Sequence, residues 1–61
     1  MPTQGEQYDM DSDWLYARLS KINKRPTDEQ EDDFCMMVWD LYKQGLSIAD
    51  ARTKALGKVF G

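Results

Sequence analysis

A chain of 61 residues forms one domain at most, and at this size folding removes only about 60% of the unfolded chain's surface from water, so stability is marginal without a staple. One cysteine, Cys35, and no histidine exclude an intramolecular disulfide and the common zinc sites. The net charge of −3 argues against nucleic acid as the main ligand, since phosphate contacts need an excess of cations on some face.

Residues 1–10 hold Pro2, Gly5 and mostly polar groups, so they read as a flexible tail, with Tyr8 the group a partner would order. This acidic start is not expected to act as a signal peptide. A first helix is expected over about 12–24. Asp11, Ser12 and Asp13 offer caps and negative charge at its positive end. Leu15, Leu19 and Ile22 recur at i, i+4, i+7 as one apolar stripe. Arg18, Lys21, Lys24 and Arg25 crowd its second half, and Pro26 ends it.

A second helix is expected over about 28–44. Thr27-Asp28-Glu29-Gln30 has the form of a capping box, in which hydroxyl and amide satisfy each other's backbone groups. Gly45 supplies the left-handed residue that closes the helix, with Leu46 and Leu41 placed for the apolar contact of a Schellman ending. A third helix, about 48–59, starts on Ser47 with Asp50 three residues on. Ile48, Ala51 and Ala55 line one side, continued by Leu56, Val59 and Phe60, while Gly57 ends or weakens the last turn. No strand pattern or repeat occurs, so the expected fold is an all-α three-helix bundle behind an N-terminal tail.

Chemistry is poorly provided for. The carboxylates fall mostly in the tail and in first helical turns, where capping and helix dipoles explain them. Asp40 lies in mid-helix on the polar side. Glu29, Asp32 and Asp33 match no calcium loop. Ser12, Ser20 and Ser47 have no histidine to activate them. Cys35 lies in an apolar run, which raises a thiol's pKa and makes it inert. No phosphate-binding glycine loop is present, and neither an enzyme, a cofactor nor a metal is expected.

The surplus lies on helix two. Phe34-Cys35-Met36-Met37-Val38-Trp39 is six apolar residues in a row. Phe34, Met37, Val38 and Leu41 make the core stripe, whereas Cys35, Trp39 and Tyr42 form a second ridge with Met36 beyond it. Either helices one and three cover both ridges, or Trp39, Met36, Tyr42 and Cys35 form a partner or self-association surface, as aromatics and methionine often do. Trp14 and Tyr16 pose the same choice; for Trp14 the local option is packing at the helix start or stacking over Arg18.

The leading expectation is therefore a non-catalytic protein-binding module: an adaptor, inhibitor or assembly subunit of the kind common among phage and mobile-element accessory proteins. Its partner is another protein, a host or assembly component, or a second copy of the chain. Asp28, Glu29, Glu31, Asp32 and Asp33 would steer it to a basic surface. The competing expectation is a DNA-binding regulator, because helix, Gly45-Leu46-Ser47 and helix resemble a helix-turn-helix. Its third helix would present Arg52, Thr53, Lys54 and Lys58, with the cations of helix one adding to a basic patch. No apolar run approaches the ~18–20 residues of a membrane span, and a lone thiol suits a cytoplasmic setting.

Overall fold

The computed structural model describes residues 3–61, and these form three helices and no strand: α1 (Gln4–Ser20), α2 (Asp28–Lys43) and α3 (Ile48–Phe60). The all-α three-helix architecture is as the sequence implies. The first helix is not. It begins eight residues earlier than the periodicity suggests, because Thr3 caps it by accepting a hydrogen bond from the Glu6 N–H at 3.2 Å. The tail expected over residues 1–10 is thus helix from Gln4 onward, and only Met1 and Pro2 lie outside the described residues.

Burial explains why the extra turns hold. Gln7, Asp11, Leu15 and Leu19 fall on every fourth position of α1, and all four are buried. The same face therefore continues into the polar segment, where it buries an amide and a carboxylate in place of leucines. Tyr8 is anchored as well, its hydroxyl donating to Asp32 Oδ1 at 2.8 Å.

The end of α1 also departs from the sequence reading. Asn23 takes the left-handed conformation at φ 56. Its N–H donates to the Ser20 carbonyl and that of Lys24 to the Leu19 carbonyl, the paired bonds of a Schellman ending with Asn in the usual place of Gly. The helix stops at Ser20, and Ile22, the third member of the expected stripe, is left outside it and 60% exposed.

The other boundaries match the local signals. Gln30 N–H donates to Thr27 Oγ1 and Thr27 N–H to Gln30 Oε1, a complete capping box. Gly45 sits at φ 108, and Leu46 and Gly45 donate to the carbonyls of Leu41 and Tyr42. Ser47 accepts from the Asp50 N–H. Gly57 stays inside α3, which runs on to Phe60.

The core is thin. Leu15, Leu19, Phe34, Cys35, Val38, Ala51 and Ala55 are its buried apolar members, with Trp14, Met37, Leu41, Leu46, Leu56 and others packed around them. Both α1 and α3 pack on α2 and barely touch each other. The small side chains of Ala51 and Ala55 let α3 approach α2 closely but bury little area.

Candidate functional site

Where α1 and α3 do meet, they meet through charge. Asp11, wholly buried, accepts at Oδ1 from Arg52 Nε at 2.9 Å and from Gln7 Nε2 at 2.7 Å. Its Oδ2 is buried and has no hydrogen-bond partner among the protein's atoms. Trp14 covers this cluster. Its ring lies parallel to that of Phe34 with centroids 5.8 Å apart, and the guanidinium carbons of Arg52 and Arg18 stand 5.7 and 5.8 Å from the centre of the indole. Cation–π attraction thus continues the pin from the buried pair out to Arg18. Of the local roles available to Trp14, stacking over Arg18 is the one the structure adopts.

Further along, the two helices part and leave a groove of about 850 Å³. Leu19, Ile22, Leu56, Val59 and Phe60 provide its apolar floor, and Arg18, Lys21, Lys24 and Arg25 its rim. Half of the chain's eight cations are gathered here, and none of its eleven carboxylates is. The rim cations have no ion pair among the described residues, where the ion pairs are Arg52 with Asp11 and Lys43 with Asp40. The Schellman turn at Asn23 places the cluster, since it turns the chain across the end of the bundle and presents Ile22 with Lys21, Lys24 and Arg25. A groove with exposed apolar side chains and uncompensated positive charge suits an occupant that is apolar on one face and anionic around it.

The residues singled out on helix two fare differently. Cys35 belongs to the core, 2% exposed, with its Sγ 3.7 Å from the Tyr8 carbonyl oxygen, so it is no partner-binding residue. The extra turns of α1 cover it. Burial, and after it the nearby carboxylates Asp11, Glu31 and Asp32, push its thiol up to about 12. The thiolate needed for reactivity is therefore scarce at neutral pH. Trp39 and Tyr42 are half-buried and lean on each other, rings 5.8 Å apart and tilted by 41°. Met36 is 56% exposed. Tyr16 is exposed beside a shallow depression shared with Lys24 and Arg25.

Two of the five acids expected to steer a partner have internal work. Glu31 accepts from Ser12 Oγ at 2.6 Å, and Asp32 accepts from Tyr8, which raises the tyrosine's pKa. Asp28, Glu29 and Asp33 remain exposed. Among the residues of the DNA-binding reading, Arg52 is committed to Asp11 and Thr53 Oγ1 donates to the Ala49 carbonyl, whereas Lys54 and Lys58 are exposed.

The sequence reading noted that the cations of the first helix could join a basic patch, but it missed the groove. The floor joins Leu19 and Ile22 to Leu56, Val59 and Phe60, which lie far apart in the chain, and no local pattern encodes that. No three His, Cys, Asp or Glu side chains gather into a metal-holding group among the described residues, and no helix there is long and apolar enough to cross a membrane. Comparison of the chain with known protein families, with curated proteins and with solved structures gives no match.

Proposed function

We propose that this chain is a non-catalytic protein-binding module, an adaptor, inhibitor or assembly subunit, that holds an acidic amphipathic helix of a partner protein in the basic-rimmed groove. One observation carries the reading: four cations and no Asp or Glu side chain surround a floor in which Ile22 is 60% exposed. Helix-in-groove recognition needs an apolar strip for affinity and complementary charge at the edge for register and speed of encounter. This moves the docking surface from the Trp39 ridge to the far end of the bundle, where apolar exposure and net charge coincide. A DNA backbone is a poorer fit, because phosphates make no use of an apolar floor and Arg52, the cation best placed on α3, is already engaged.

The test is fluorescence anisotropy with a labelled helical peptide bearing Leu and Glu on opposite faces, beside its Gln analogue and a short DNA duplex. The acidic peptide should bind best, and Lys21→Glu with Lys24→Glu should weaken it at least about tenfold. Ile22→Ser should weaken both peptides. Tighter binding of the duplex than of the acidic peptide would overturn the proposal.

A further inference from the structure

The ligand that suits the groove is present in the chain itself. Glu29, Asp33, Met36 and Asp40 stand at i, i+4, i+7 and i+11 of α2, within one narrow stripe of its surface. Together with Met37, Lys58 and Val59 they line a second groove of about 630 Å³. Its side-chain charge is the reverse of the first: three carboxylates and one cation against four cations and no Asp or Glu. Among the described residues, the two most exposed large apolar side chains are Ile22 at 60% and Met36 at 56%, one in each groove. The grooves are also neighbours, for Gln30 and Val59 line both.

Two adjacent patches of opposite charge on one surface are what an isologous dimer requires. A two-fold axis through the boundary between them lays each patch of one copy on the complementary patch of the other, so both contacts form at once and the assembly closes. Resting on the groove reading above, we infer that the resting partner of this chain is a second copy, with the acidic face of each α2 in the basic groove of the other. Met36 then meets the floor at Ile22, Leu56 and Phe60, while Glu29, Asp33 and Asp40 face Arg18, Lys21, Lys24 and Arg25. The contact covers Ile22 and Met36 and adds burial that a thin core of this length needs. It also makes self-association and partner binding compete for one groove.

Sedimentation of the full chain from about 1 µM to 1 mM tests this, at low and at high salt. A monomer–dimer equilibrium is expected, weakened several-fold by salt as the opposed charges are screened. Lys21→Glu with Lys24→Glu should weaken it at least about tenfold, as should Asp33→Lys with Asp40→Lys. All four side chains are exposed, and far-UV circular dichroism with a thermal melt verifies that each variant folds. An equimolar mixture of the two variants should recover the dimer, because every reversed patch then meets its complement. A monomer at all concentrations, an open series of larger species, or no recovery on mixing overturns the inference. A monomeric chain that still binds the acidic peptide would sink self-docking and leave the protein-binding proposal standing. Dimers that resist both reversals would place the contact on another surface.

Discussion

The two places where α1 and α3 face each other use charge in opposite ways. At one, a buried carboxylate holds Arg52 and Gln7, and Trp14 closes the cluster from above. At the other, four cations ring an apolar floor that no Asp or Glu side chain lines. Arg18 belongs to both, touching the Trp14 ring on one side and lining the groove on the other. Charge that is paired in the interior fixes how the helices sit. Charge left without a counter-ion at the open end contributes little to folding and is available for a partner. The pin joins α1 directly to α3, which otherwise pack on α2 and barely touch each other.

Cutting the pin should have the largest effect. Arg52→Ala leaves Asp11 buried without its counter-charge, which costs about 3–5 kcal/mol. A chain of this length has only about 3–9 kcal/mol of stability to lose, at the usual 0.05–0.15 per residue. Urea denaturation should show the variant largely unfolded or with a much lower midpoint. A shift of less than about 1 kcal/mol would mean that the buried pair does not hold the helices.

Alkaline pH attacks the same end of the molecule by a different route. The Cys35 thiol is pushed up to about 12 by burial, and Tyr8 is raised by its hydrogen bond to Asp32 and by burial. Both groups keep their protons longer folded than unfolded, so above the unfolded thiol's pKa the folded state binds more protons and stability falls with rising pH. The contribution is fully present below about pH 9 and is lost as pH climbs towards 12. Urea midpoints at about pH 8, 10 and 11.5 measure it, and Cys35→Ala should flatten the slope while leaving the part due to Tyr8. In the native state at pH 8 the thiol should react with an aromatic disulfide far more slowly than in denaturant.

Smaller losses are expected at the helix ends that belong to neither place. Gly45→Ala forces a side chain into φ 108 and should cost about 1–2 kcal/mol, although no neighbouring atom obstructs it. Thr27→Ala removes half of the capping box and should cost about 1 kcal/mol. Smallest of all is the effect of Lys21→Glu with Lys24→Glu on the folding of the monomer, expected within about 0.5 kcal/mol of zero when the chain is melted at about 1 µM, where self-association adds little. That variant sharpens the contrast most, since binding should fall steeply while the melting curve hardly moves.

The same contrast marks what could be read from the sequence. Thr27 with Gln30, Gly45 with Leu46, and Ser47 are local signals whose partners lie within five residues, and each appears in the structure as the chain's chemistry implies. Thr3 and Glu6 also have the spacing of a helix start, yet the polar residues that follow hide the continuation of the buried stripe through Gln7 and Asp11. Hydrophobic periodicity cannot register a face that buries an amide and a carboxylate. Their burial depends on Arg52, 41 residues from Asp11 in the chain, and no spacing rule links the two. Asn23 was a legible signal of a second kind, a residue tolerant of left-handed backbone, but Pro26 offers a stronger and later stop. The cations at the end of α1 could be named in advance. Their convergence on an apolar floor from α3 is a product of tertiary geometry alone.

The measurement that bears most directly on the open groove is a map of backbone amide chemical shifts in the full chain as the acidic amphipathic peptide is added. The largest changes should fall on Leu19 to Arg25 and Leu56 to Gly61, with small ones at Trp39 and Tyr42. Changes confined to the Trp39 and Tyr42 ridge, or none at about millimolar peptide, where even weak complexes populate, would contradict the assignment of the binding surface to the groove.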